Sequence, residues 1–454
     1  MKLHSFSFLL LLFAYAYCNS DIQIPHQVAI QVPGEYSVGF IGRAFLMETH
    51  QMAPNFKVAL SVEAFNGNYS CSLEIFLGDV KVWNSGHYSR FYTWEICVLE
   101  LTGDGDLRLK GPKEQVGWRT GTSGQGVERL QIQSSGNLVL LDSLNRIKWQ
   151  TFNFPTDVML WGQRLNVATR LTSFPSNSSS FYTLEIQHNR VALYLKSGKW
   201  NYSYWEFKPS HDRNITFIKL ASTGLQLFSD KYKKIAQIPL QVPQPLRFLA
   251  LGNATGNLGL YFYSPREGKF EASFQALNTT CDLPLACKPS GICTFSNSCS
   301  CIRHLTKQHR RTSNCSEGIS GGYCDSSDQA EMLGLEGVSC VLKDAPKKVN
   351  VSKEACENFC LNDCKCAAAL YSTGKGEMDP RECYLYGLVV GVKQVKQGTG
   401  LIYMVKVPKG TSGTRGKTNV KKWVLATVGV VDGLIILLVL GGLGYYFFRK
   451  RGGN

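Results

Sequence analysis

Two stretches of this chain carry side chains whose types and spacing could grip a ligand. In "LQIQSSGNLVLLDSLNRIKW", Leu130 to Trp149, residues Gln133, Ser135, Asn137, Val139 and Leu141 fall at alternate positions. Alternate residues on a strand share one face, so amides and a hydroxyl would line up beside an apolar floor. That arrangement could present a polar row to a ligand rich in hydrogen-bonding groups. An earlier run, Thr102, Asp104, Asp106, Arg108 and Lys110, has the same spacing, with carboxylates first and two cations where the floor would be.

Other chemistry finds less support. The eight histidines, His4, His26, His50, His87, His188, His211, His304 and His309, sit in no metal or nucleophile motif, and neither a nucleophile elbow nor a phosphate loop occurs. Paired carboxylates for glycoside hydrolysis stay open, because such partners can be distant in the chain. The expectation is a binding protein, not an enzyme, with no cofactor and no metal.

The elements that must position these rows repeat. "GDLRL", Gly105 to Leu109, precedes Trp118, and "GNLVL", Gly136 to Leu140, precedes Trp149; both features are offset by 31 residues, 136−105 and 149−118. Val82-Trp83 is a candidate third member, and "GNLGL", 256–260, and "RVALYLKSGKW", 190–200, read as degenerate copies. Short alternating strands, Gly/Asn turns and one tryptophan per unit describe an all-β repeat with a shared core. The tryptophans are expected in that core.

The run "WQTFNFPTDVMLWGQRL", 149–165, resembles the signature that closes the bulb-type mannose-binding lectin domain of plant S-domain receptor-like proteins. The matching residues are Trp149, Phe152, Phe154, Pro155, Thr156, Asp157, Leu160, Gly162, Gln163 and Leu165. The resemblance implies a β-prism of three four-stranded sheets, with a lectin domain over 21–165 and a second, diverged one over 166–278. It also implies sugar pockets of the form Gln-x-Asp-x-Asn-x-Val-x-Tyr. At 133–141 the Gln, Asn and Val remain while the carboxylate and tyrosine are lost; at 102–110 only Asp104 matches. Mannose binding of the family type is therefore expected to be lost or weak, surviving if anywhere at Gln133 to Val139. Two alternatives stay open: a scaffold strand whose polar row faces water, or a pocket that Arg108 and Lys110 retune toward a uronate.

Two cysteine-rich regions follow. Cys281, Cys287, Cys293, Cys299, Cys301 and Cys315 resemble an EGF-like module over 279–320. Calcium is not expected there, since "ALNTT" before Cys281 lacks an acidic cluster, and zinc at His304 and His309 is not expected beside paired cysteines. "SKEACENFCLNDCKCAAALYS" with a later "CYLYG" resembles a plant PAN/apple module, assigned to 321–407. Ser352 can cap a short helix that places Cys356 and Cys360 on one face, and Cys364, Cys366 and Cys383 complete the pattern. The resemblance implies Cys356–Cys383 and Cys360–Cys366. Cys71 and Cys97 are a candidate pair in the lectin domain; Cys315, Cys324 and Cys340 have no assigned partner. The fold class expected is mainly β: tandem β-prism II lectin-like domains, then EGF-like and α+β PAN/apple modules and a single transmembrane helix.

Export is read from both ends. Lys2, the apolar run Phe8 to Tyr17 and Ala16-Tyr17-Cys18 describe a signal peptide over 1–20. Eight glycosylation sequons follow, at Asn68, Asn177, Asn201, Asn214, Asn253, Asn278, Asn314 and Asn350. A linker over 408–422 leads to an apolar run, 423–448, that is long enough to span a bilayer and is followed by Arg449, Lys450 and Arg451. Within it Asp432 is a candidate contact for a membrane partner. The tail, 449–454, is expected to be cytoplasmic and too short for a kinase, so the chain reads as single-pass type I in the plasma membrane. A net charge of +15 favours acidic polysaccharide or anionic lipid over nucleic acid, or is simply spread over the surface. The function expected is a kinase-less receptor-like glycoprotein. It would bind an extracellular glycan or protein and signal through a membrane co-receptor. The alternative is an adhesion protein tying the membrane to acidic wall polysaccharide.

Overall fold

The computed structural model describes residues 20–409 apart from 35–38, 51–53, 66, 175–178, 211–213, 243, 303–329, 374–379 and 397–399. The expected signal peptide, membrane span with Asp432, tail, Asn177, Asn314, Cys315 and Cys324 lie outside the described residues. Among the described residues no helix is long and apolar enough to cross a membrane. They form a mainly β fold with one α-helix, Lys353–Asn362.

One five-stranded and two four-stranded sheets enclose the first core. Sheet one orders Ile41–Glu48, Phe56–Phe65, Asn68–Leu77 and Val80–Asn84, with Phe91–Thr93 added on Asn68–Leu77. Sheet two orders Val116–Arg119, Leu107–Lys110, Ile96–Leu101 and His26–Gln31; sheet three orders Asp21–Gln23, Val127–Ile132, Leu138–Asp142 and Ile147–Gln150. Leu60, Leu73, Leu99, Leu107, Leu109, Leu138 and Leu140 fill the space between them. Trp83, Trp118 and Trp149, one from each sheet, meet edge to face with ring centroids 5.8–6.3 Å apart. The repeated glycines have one local cause. Gly105, Gly136 and Gly256 all turn with positive φ, and a Cβ on them would come within 2.7, 2.4 and 2.6 Å of Val127, Phe56 and Tyr182.

A second set of three four-stranded sheets follows, and its first strands begin within the run 149–165. Val158–Leu160 pairs with Leu246–Leu251, and Arg164–Asn166 pairs with Phe217–Ala221. The run 149–165 therefore bridges the two sets: Trp149 stays in sheet three, while Val158–Leu160 and Arg164–Asn166 are edge strands of the second set. Apolar side chains of this run serve both cores: Met159 and Leu165 are buried in the second, Val158 and Leu160 in the first.

That second core continues into the C-terminal region, where Leu370, Tyr386, Tyr403 and Val405 join Leu193, Tyr202 and Leu220. The two cysteine-rich regions share a sheet, through Gly291–Cys293 beside Val392–Gln394. Arg190 bonds Glu206 at 2.6 Å and Asp344 at 2.7 Å, and the Gly387 N–H donates to the Tyr202 hydroxyl at 2.8 Å. The helix starts where Ser352 accepts from the Ala355 N–H at 3.1 Å, and it buries Cys356 and Cys360. Disulfides join Cys71–Cys97, Cys281–Cys293, Cys287–Cys299, Cys356–Cys383 and Cys360–Cys366. Cys301 and Cys364 are also disulfide-bonded, and Cys340 is the free cysteine among the described residues.

Candidate functional site

The later polar row is not one strand face. Gln133 to Asn137 form the turn between Val127–Ile132 and Leu138–Asp142, closed by the Gly136 N–H donating to the Gln133 carbonyl at 2.8 Å. Gln133 and Ser135 line a hollow with His50 and Ser20, whereas Val139 and Leu141 are buried. Asn137 is only 4% exposed, and its amide is committed to the fold. Its Nδ2 donates to Gln150 Oε1 at 2.8 Å, and its Oδ1 accepts from the Thr151 hydroxyl and the Phe152 N–H, both at 3.2 Å.

The earlier row is neutralised in place. Arg108 Nε meets Glu100 at 2.6 Å, and Lys110 Nζ meets Glu100 at 3.0 Å and Glu114 at 2.6 Å. These carboxylates, from the neighbouring strand and the following turn, leave little cationic field for a uronate. Asp106 is buried and accepts from the Gly121 and Thr122 N–H groups at 2.8 and 3.1 Å, with Arg119 at 3.3 Å. Asp104 is exposed and bonds the Thr102 and Ser123 hydroxyls. Both carboxylates therefore brace the hairpins beside them.

A third place was not found from sequence. The outer face of sheet one forms the floor of a cleft of about 540 Å³, lined by Ser70, Ser72, Glu74, Trp83, Asn84, His87, Tyr88 and Arg90. Its far wall is Asp157, Phe174 and Asn253, from the second unit. At the closed end Glu74 is 1% exposed, accepts from the Ser61 hydroxyl at 2.6 Å and pairs with Lys81 and, at 3.5 Å, Arg43. Glu63 meets Lys81 at 2.8 Å. Burial alone would lower the Lys81 ammonium, but the two carboxylates outweigh it and raise it.

At the open end His87, Tyr88 and Phe174 form an aromatic rim, with the His87 ring 4.8 and 5.3 Å from the other two. Tyr88 and Phe174 are 57% and 44% exposed although the Tyr88 hydroxyl is anchored on the Pro155 carbonyl at 2.9 Å. His87 Nε2 lies 2.7 Å from the Thr172 carbonyl, so it is the protonated nitrogen. Burial lowers its pKa, against the Asp157 charge and the Thr172 carbonyl. Between rim and floor the Asp157 carboxylate and the Asn84 amide form no hydrogen bond or ion pair within the described residues, which leaves both open to a ligand. Arg90 lies 4.1 Å over the Phe65 ring and adds a donor. Polar groups beside exposed ring faces suit a saccharide: the rings stack on apolar C–H faces while the carboxylate and amides take hydroxyls.

A signal for this cleft was legible. Ser70, Ser72 and Glu74 alternate on one strand just before Val82-Trp83, the third member of the repeat. Asp157, Phe174 and Asn253 gave none, because tertiary packing alone brings them there. Among the described residues no cluster of histidine, cysteine and carboxylate side chains could hold a metal.

Comparison with known proteins agrees with the repeat. Residues 93–181 match the D-mannose binding lectin family. The chain is 24% identical over 369 residues to a PAN domain-containing protein of Arabidopsis thaliana, covering 78% of this chain and 72% of that one. It is 26% identical over 395 residues to a G-type lectin S-receptor-like serine/threonine-protein kinase of Arabidopsis thaliana, covering 82% of this chain and 46% of the kinase. The chain resembles plant bulb-lectin and PAN proteins related to the S-domain receptor kinases. It spans less than half of that kinase's length. A monomeric monocot mannose-binding lectin from Gastrodia elata is 26% identical over 20% of this chain and 82% of its own, with a TM-score of 0.15, too low to argue from. The matched segment holds both degenerate rows and Asp157 and Phe174 of the cleft. Its sheet-one floor lies before that segment.

Proposed function

We propose that this chain is a single-pass, receptor-like cell-surface glycoprotein that binds an extracellular saccharide in the cleft on sheet one. The observation that carries the reading is the unpaired Asp157 carboxylate and Asn84 amide facing an exposed aromatic rim. In this reading the two sets of three sheets are lectin-type β-prisms, and the second holds the EGF-like and PAN modules rigidly behind the cleft. The polar row at Gln133, Ser135, Asn137, Val139 and Leu141 and the run at Asp104 and Asp106 act as scaffold. The described sequon asparagines, Asn68, Asn201, Asn214, Asn253, Asn278 and Asn350, are all exposed, which supports an exported glycoprotein. Signalling would pass through a membrane co-receptor. Adhesion to acidic polysaccharide is less well supported, since Arg108 and Lys110 already have carboxylate partners.

The test is saccharide binding by the full-length chain, with and without enzymatic removal of its N-glycans, on an array and then by titration. Asp157→Asn and Asn84→Ala should each weaken binding by about tenfold or more with the melting temperature unchanged, about 1.4 kcal/mol per tenfold. Binding lost in Gln133→Ala but kept in Asp157→Asn would move the site to the degenerate row. Silence on every saccharide would end the reading.

A further inference from the structure

One of the sequons belongs to the cleft itself. Asn253 opens Asn253-Ala254-Thr255, is exposed, and lines the cleft on the wall opposite the sheet-one floor. The other described sequon asparagines do not line it. The Asn253 Oδ1 accepts from the Ser173 hydroxyl at 2.6 Å, which fixes the amide plane. Its Nδ2, the atom that carries an N-linked sugar, forms no hydrogen bond within the described residues. Phe174 follows Ser173 directly and stands on the rim, 6.2 Å from the Tyr88 ring. A sugar on Nδ2 thus starts its path inside a cleft whose exposed rings and unpaired polar groups suit a sugar.

We propose that Asn253 is glycosylated and that its own glycan caps this cleft, the first N-acetylhexosamine lying against Phe174 and Tyr88. The proposal rests on reading the cleft as a saccharide site. Glycosylation forms the Nδ2–C1 bond and breaks the C1–O bond of a lipid-diphosphate oligosaccharide donor; the amide proton leaves with the lipid diphosphate. The tether then makes binding intramolecular. A group held by so short a link has an effective concentration in the millimolar range or above, so it outcompetes a free saccharide of weak affinity. The cleft is closed in cis while Asn253 carries its glycan and becomes available when Asn253 is bare.

Three measurements on the full-length chain from a glycosylating host test this. Glycopeptide mass spectrometry should find Asn253 occupied; a bare Asn253 overturns the proposal. An endoglycosidase that cuts within the N-glycan core should act on native Asn253 at least about tenfold more slowly than on Asn214, and Phe174→Ala should abolish the difference. Equal rates at the two sites would also overturn it, and this arm needs no external ligand. Asn253→Gln should raise saccharide affinity about tenfold or more, while Asn214→Gln leaves it unchanged. Equal binding by wild type and Asn253→Gln removes the cap but keeps the saccharide site. A protected Asn253 glycan with no saccharide bound even by Asn253→Gln keeps the cap and removes the receptor reading.

Discussion

Asn137 shows how a residue can look like a ligand and work as a brace. Its amide ties Gln150, Thr151 and Phe152 to the start of Leu138–Asp142, so alanine would leave several buried groups unpaired. Asn137→Ala should cost roughly 1–3 kcal/mol in denaturant unfolding and leave cleft affinity unchanged. His87 carries a pH dependence whose sign follows from burial. Its folded pKa lies below the ordinary 6.5, so the unfolded chain binds the proton first. Stability is complete above about pH 6.5 and falls as pH drops toward the folded value. The groups that face it are Asp157, Tyr88 and the Thr172 carbonyl. His87→Gln should flatten the melting-temperature profile between about pH 7 and about pH 5; an unchanged slope would assign the effect to other groups.

The decisive element is the turn that opens each repeat strand. Gly136 combines φ +81° with a neighbouring Phe56 ring that occupies the space a Cβ would need. Gly136→Ala should therefore destabilise by about 1–3 kcal/mol, read as a lower denaturation midpoint at unchanged slope. Much of this was legible. The 31-residue offset announced equivalent strands, and one tryptophan per repeat announced a shared centre where the three rings meet. The row at 133–141 is not one strand face because a hairpin turn over 133–137 interrupts it, and i, i+2 spacing continues across such a turn unmarked. Period alone does not say where a chain reverses, whereas the positive φ at Gly136 does.

On the scale of the whole molecule, the second unit and the C-terminal region share one apolar core and should melt together. Gly387 lets the Trp200 ring lie where a Cβ would sit, 1.8 Å from its nearest atom. Gly387→Val should push the C-terminal sheet off this ring and split one calorimetric transition into two. A single transition at unchanged temperature would show that the interface tolerates the side chain. The same packing closes the cleft, because residues 154–174 cross from the first unit to the second and carry Asp157 and Phe174 to its wall.

By itself the sequence determined the repeat, the tryptophan centre, the capped helix with its cysteines on one face, and the resemblance to lectin and PAN proteins. All of these are local periods or spacings, which a chain carries wherever it goes. Only the tertiary structure decided which polar groups are free. Arg108, Lys110, Asp106 and Asn137 find partners on adjoining strands and turns, while Asp157 and Asn84 line one cleft from two units with no side-chain hydrogen bond or ion pair among the described residues. Whether a polar side chain is a brace or a ligand depends on its neighbours in space, and those lie far apart in the chain.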